Sequence, residues 1–150
     1  MAQSLCNVLV HVIFSTRSRI HYIKPAIRKD LHAYLAGIVR TMKCECYRVG
    51  GVEDHVHLAV RLHSTVTVAQ LIEKLKSNSS KWAKDKGPGL ELFSWQNGYG
   101  AFSISPHYKD QLVSYIENQE EHHQAVTFQE EFRGFLRKYN VPYDEKYVWD

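Results

Sequence analysis

Gly50-Gly51-Val52-Glu53-Asp54-His55-Val56-His57-Leu58-Ala59-Val60 joins two glycines and an acidic turn to an apolar run carrying two histidines one residue apart. Side chains on a strand alternate faces with period 2. A strand here points His55 and His57 one way and leaves Val56, Leu58 and Val60 to pack the other. Two imidazoles on one face are half of a metal site.

Working outward, Glu45 to Val49 reads as the preceding strand, and Gly50-Gly51 allows a bulge or a close backbone approach. Before it, Pro25 opens a helix with Ile27, Leu31, Tyr34, Leu35, Ile38 and Val39 at helical spacing, through about Met42. His32 falls beside that stripe as a surface or packing residue. Leu5 to Thr16 is apolar on both faces, which predicts a central strand, and Arg17, Arg19 and Lys24 form a basic exit loop.

After the histidine strand, Ser64-Thr65-Val66-Thr67 supplies capping residues for a second helix with Val68, Leu71, Ile72 and Leu75 on one side. Gly87-Pro88-Gly89 ends it, and Ala101 to Ser105 reads as a fourth strand. A helix from about Tyr108 to Glu121 follows, then a polar run from Glu120 to Gln124, expected to be solvated. Thr127 with Glu130 caps a short amphipathic helix to Lys138, and the aromatic tail with Tyr143, Tyr147 and Trp149 is expected to dock. Strand, helix, strand, strand, helix, strand is the ferredoxin-like split arrangement. The fold class is therefore α+β, an antiparallel sheet with helices on one face and the Tyr115 helix appended.

The 150 residues, with 44% hydrophobic and 23% charged residues, describe one globular unit rather than a disordered chain. A net charge of +3 permits a nucleic-acid partner without requiring one. No signal peptide and no run of 18 apolar residues is present, so no membrane role and a cytoplasmic location are expected. Three cysteines, Cys6, Cys44 and Cys46, suit a reducing compartment. With the turn centred near Glu53, Cys46 lies opposite Val60, about 10 Å from His57 at the strand rise, too far to share a zinc ion.

Tyr115 and Gln119 stand four residues apart, which on a helix stacks a phenol and a carboxamide on one face. Several residues are candidates for nucleic-acid contact. Arg17 and Arg19 either follow a phosphate backbone or form a solvated turn. Lys74 and Lys81, in a lysine cluster, are a wet face or a backbone-tracking surface. Trp95 and Tyr99, in a glycine and aromatic mixture, either stack on unpaired bases or lead into a strand.

The ordered set Phe14-Ser15-Thr16-Arg17, Gly50-Gly51-x-x-Asp54-His55-x-His57, Ser79-Ser80-Lys81-Trp82, Trp95-Gln96-Asn97-Gly98-Tyr99-Gly100 and Tyr115-Ile116-Glu117-Asn118-Gln119 resembles the HUH-class single-tyrosine transposases of small bacterial insertion sequences and their REP-associated relatives. The resemblance covers nearly the whole chain. It implies a transposase domain over residues 1–150, with a core at 5–105, a tyrosine helix at about 106–123 and a C-terminal helix and tail at 127–150. It further implies that His55, His57 and Gln119 hold Mg2+ or Mn2+ and that Tyr115 attacks single-stranded DNA, leaving a 5'-phosphotyrosine and a free 3'-hydroxyl. Hairpin DNA is then the partner, acted on by a homodimer in which the tyrosine helix of one subunit completes the other's site. Asp54 either orients a histidine or is an ordinary acidic turn residue.

Two other readings compete. A non-catalytic or domesticated single-stranded nucleic-acid-binding module would use His55 and His57 to contact bases. A metal-free phosphoesterase with paired His-x-Thr/Ser motifs has only His63-Ser64-Thr65 and no mate for it.

Overall fold

The computed structural model describes residues 2–150. Val8–Ser15 (β1) is buried along nearly its whole length and lies between two partners, as its doubly apolar pattern requires. The remaining strands are Glu45–Gly51 (β2), His55–Leu62 (β3) and Gly100–Ile104 (β4), and the sheet order is β2-β3-β1-β4 with every pairing antiparallel. Pro25–Thr41 (α1) links β1 to β2, and Val68–Lys84 (α2) links β3 to β4. This is the ferredoxin-like topology expected from the element order.

Local chemistry fixes the boundaries. Pro25 begins α1, and Thr67 and Gln70 form a reciprocal capping box at the start of α2. Gly51 has φ of +151°, and a Cβ there would stand 2.2 Å from the His55 carbonyl, so the β2–β3 turn needs glycine. Cys46 pairs with Val60 as expected, away from the histidines.

Alternation then sorts the core. Val10, Val12, Phe14, Val56, Leu58 and Val60 pack under α1 and α2 through Leu31, Leu35, Leu71 and Leu75. His11, Ile13, His55, His57 and Ala59 occupy the opposite sheet face. The two helices that link the strands share one face, as expected, and the helices appended after β4 cover the second face as well. Lys109–Glu117 (α3) lays Leu112 and Ile116 on Ala59, and Phe128–Lys138 (α5) lays Phe128, Phe132 and Leu136 on Ile13 and Phe102. Apolar residues on that sheet face need cover, and the late helices supply it.

The expected continuous helix from Tyr108 to Glu121 is corrected. It breaks at Asn118 (φ −96°, ψ 19°), a poor helix former, into α3 and the single turn Gln119–His122 (α4). The C-terminal tail docks: Trp149 packs near Phe128 and Phe132, and Gly98 N donates to Asp150 O at 2.8 Å. Among the described residues no helix is long and apolar enough to cross a membrane.

Candidate active site

His55 and His57 are fully buried on the second sheet face. His55 Nδ1 lies 2.7 Å from Asp54 Oδ1, so Asp54 does orient its neighbour, and His55 Nε2 lies 3.0 Å from Gln119 Oε1. Gln119 reaches this point from α4, and Tyr115 from α3, because Ile116 and Leu112 press α3 onto the sheet. The Tyr115 ring centroid is 5.8 Å from that of His57. His55, His57, Tyr115 and Gln119 of one chain therefore converge without a second subunit.

Glu131 stands at the centre, projecting from the buried face of α5. Its Oε1 is 2.9 Å from His57 Nε2, 3.4 Å from His55 Nε2 and 3.2 Å from His123 Nε2. Its Oε2 accepts from the Tyr115 hydroxyl, from Gln119 Nε2 at 3.1 Å and approaches His122 Nε2 at 3.3 Å. Behind this cluster, buried His11 places Nε2 2.7 Å from His57 Nδ1.

The electrostatics follow from burial and from that carboxylate. Burial opposes ionisation of Glu131, but hydrogen bonds from His123, His55 and His57 win and hold it far below the usual carboxylate range. Burial likewise opposes the His55 imidazolium, yet its bonds to Asp54 and Glu131 push it up to about 9. At His57 burial dominates and the value falls to about 4. Burial and the adjacent Glu131 charge raise Tyr115 well above an ordinary phenol, so this hydroxyl needs a cation nearby to ionise.

The donor set suits a divalent cation. His55, His57, His123 and Glu131 each offer a ligand atom within 4.8 Å of the others, and Gln119 Oε1 closes on the same point.

Tyr115 also forms one wall of a cleft of about 640 Å³, with His11, Tyr108, Phe135, Lys138 and Tyr139 around it. A second cleft of about 310 Å³, between α1, β2 and α4, is lined by Arg28, His32, Arg48 and Gln119.

The candidate DNA contacts fare unevenly. Arg17 is exposed beside Thr16, whose N–H donates to Asp54 O at 2.8 Å, at the His55 end of the sheet. Arg19 is committed to the tail, donating to Trp149 O at 2.9 Å. Lys74 and Lys81 are exposed on α2, which covers the opposite sheet face, so the structure does not bring them to the site. Tyr99 is 42% exposed. Trp95 needs correction: it is 5% exposed, edge-on to Phe14 and Phe93 with Nε1 donating to Ser79 Oγ, so its faces serve the core and not bases.

The expected solvated run hides His123, whose ring turns inward. Glu131 sits beside Glu130 in what reads as an ordinary acidic first turn, and only its place three residues after Phe128, on the apolar stripe, signals burial. His11 is a lone histidine in an apolar strand, and its role depends on strand register, in which it pairs with Ala59 and lies diagonal to His57.

A ferredoxin-like sheet bearing a histidine-rich centre with one convergent tyrosine is thus the class that fold and site define. Residues 4–119 match the family described as IS200-like transposases, and the chain belongs to that family. Two solved structures share the fold. One is a Deinococcus radiodurans R1 protein provisionally named a transposase, with TM-score 0.62, 22% identity, and coverage of 79% of this chain and 98% of that one. The other is a REP-associated tyrosine transposase bound to a REP hairpin, with TM-score 0.62, 15% identity, and coverage of 84% of this chain and 76% of that one. No curated protein matches the chain significantly.

Proposed function

We propose that this transposase cleaves and rejoins single-stranded hairpin DNA through a 5'-phosphotyrosine on Tyr115, with His55, His57 and Gln119 holding Mg2+ or Mn2+. The observation that carries the reading is the meeting of Tyr115 Oη, Gln119 and both histidines around one point on the sheet. A divalent cation bound there supplies Lewis-acid polarisation of the scissile phosphate and offsets the Glu131 charge that suppresses phenol ionisation.

The chain's own groups do the rest. Tyr115 Oη bonds to phosphorus, and the bond from phosphorus to the 3'-oxygen breaks. The phenolic proton leaves along the hydrogen bond to Glu131 Oε2, and the departing 3'-oxygen takes a proton from water or from half-exposed His122. Asp54 and His11 keep the two histidine rings oriented. Reversal with a new 3'-hydroxyl rejoins a strand, so no high-energy cofactor is consumed.

Incubation with single-stranded hairpin DNA and Mg2+ or Mn2+, then a denaturing gel, tests this. A retarded covalent band is expected. It should vanish in Tyr115→Phe and fall severely in His55→Ala and His57→Ala. A band that persists in Tyr115→Phe removes the nucleophile. DNA binding that survives chelation with no adduct in the wild type favours the binding-module alternative. The family resemblance implies a homodimer with exchanged tyrosine helices, whereas the geometry supports action within one chain. Mixing Tyr115→Phe with His57→Ala separates these, since only exchange restores the band.

A further inference from the structure

We infer that His123 and Glu131 are ligands of the divalent cation, which extends the set to three imidazoles and a carboxylate and makes the site selective for a transition metal over Mg2+. This rests on the metal-dependent reading above. Both residues lie beyond the 4–119 segment that carries the family match.

Glu131 is saturated. An ionised carboxylate has about four lone-pair sites, yet six side chains crowd Glu131: His55, His57, His122, His123, Tyr115 and Gln119. Hydrogen bonds with His57, His123, Tyr115 and Gln119 fill those sites, so Nε2 of His55 and of His122, at 3.4 and 3.3 Å, crowd a carboxylate already fully used. A cation shared by the imidazoles and Oε1 relieves the excess.

The ring nitrogens face the same centre. His123 Nδ1 donates to the Val126 carbonyl at 2.6 Å, which turns Nε2 towards Glu131 Oε1. His55 Nδ1 donates to Asp54, and its Nε2 faces two oxygens, Gln119 Oε1 and Glu131 Oε1. Each ring thus commits Nδ1 to a fixed acceptor and presents Nε2, the nitrogen free to bind a metal, to the same oxygen cluster. Carbonyl or carboxylate support of the distal ring nitrogen is also how metal-bound histidines are held. His57 completes the pattern, with Nδ1 on His11 and Nε2 on Oε1.

The spacing suits a shared ion. Ligand atoms about 2.1 Å from a common ion stand about 3.0 Å apart in an octahedron and about 3.4 Å apart in a tetrahedron. The three Nε2 to Oε1 separations, 2.9, 3.2 and 3.4 Å, fall in or beside that interval. With Gln119 the protein offers five donors, leaving one position of a six-coordinate ion for a phosphate oxygen. Imidazoles favour Mn2+, Co2+ or Zn2+ over the oxygen-preferring Mg2+.

The test uses full-length protein without DNA, with Co2+ and Mn2+ as probes. Equilibrium dialysis and Co2+ visible absorption should report one ion per chain, not displaced by roughly 100-fold excess Mg2+. His123→Ala and Glu131→Gln should each weaken Co2+ binding by more than about tenfold and alter its spectrum, while the exposed neighbour change Glu130→Gln leaves both unchanged. Should a variant misfold by circular dichroism, the wild type still decides: substoichiometric Mn2+ should broaden the His123 imidazole resonances along with those of His55 and His57. Folded variants that keep Co2+ affinity within about twofold, sharp His123 resonances beside broadened His55, or displacement by Mg2+ overturn the inference. Co2+ binding with this profile but no DNA adduct would sink only the strand-transfer reading. An adduct without the His123 and Glu131 dependence would sink only the ligand set.

Discussion

Gly50→Ala should move the tyrosine away from the histidines. Gly50 pairs with His57 across the β2–β3 ladder, and the helix carrying Tyr115 comes down directly onto it. A Cβ at Gly50 would meet the Ile116 carbonyl oxygen at 2.5 Å and Ile116 Cγ2 at 2.7 Å. Since Cβ contacts below 3.0 Å are essentially never seen, α3 must retreat by at least about 0.5 Å (3.0 − 2.5). The obstacle is backbone, so a side-chain rotation does not relieve it, and Tyr115 is the adjacent residue. Overpacking of this kind costs about 1–3 kcal/mol, or roughly 2–12 °C in Tm for a chain of this size. A displacement of about 1 Å costs about 100-fold in a positioned reaction, so roughly 10- to 100-fold is expected in the rate of covalent adduct formation. The measurements are single-turnover gels and thermal melts, with Gly37→Ala as the contrast. Gly37 lies inside α1, where an added methyl would meet nothing within 4 Å, so alanine there should leave the rate alone and add about 0.5–1 kcal/mol. An unchanged adduct rate in Gly50→Ala, within about twofold, would refute the idea that α3 must sit on its own sheet for Tyr115 to react.

Asp54→Ala removes the 2.7 Å partner of His55 Nδ1 and should weaken Mn2+ binding by about 10- to 100-fold in dialysis; unaltered affinity would reduce Asp54 to a turn residue. Lys76 Nζ donates to the carbonyls of Gln96, Asn97 and Gly98 at 2.8, 3.1 and 2.6 Å, so Lys76→Met should cost roughly 2–4 kcal/mol in urea titrations by orphaning them. An unshifted urea midpoint would show that the loop holds without it. Burial, with Arg28 and Arg48 nearby, lowers His32 to about 4 from 6.5. The unfolded chain therefore binds this proton first, and stability falls as pH drops from 6.5 towards 4. His32→Gln should narrow the gap between urea midpoints at about pH 7.5 and pH 5, and an identical gap would exclude His32 as a contributor.

Period-2 and period-3.6 patterns were enough to lay out β1 to β4, α1 and α2, because each of those elements buries an apolar face of its own. The same patterning put His55 and His57 on one face and Cys46 opposite Val60. What the pattern could not give was the second helical layer. α3 and α5 are held by contacts between segments far apart in the chain, such as Ile116 on Ala59 and Phe132 against Ile13. Nothing local to either helix records which sheet face it will cover.

The site divides along that line. A pair one residue apart on a strand and a pair four apart on a helical stretch are local geometry, and so His55, His57, Tyr115 and Gln119 were legible as two halves. Their union is tertiary, and so is every participant whose partner is remote: Glu131 reaches across from α5, His123 turns inward past the break at Asn118, and His11 finds His57 only through the β1–β3 register. Trp95 shows the converse, an aromatic in a motif that invited a base and that the fold used to fill its core. Backbone periodicity is written residue by residue, whereas the position of one buried carboxylate among four imidazoles depends on the sum of all the packing that brings α5 to the sheet.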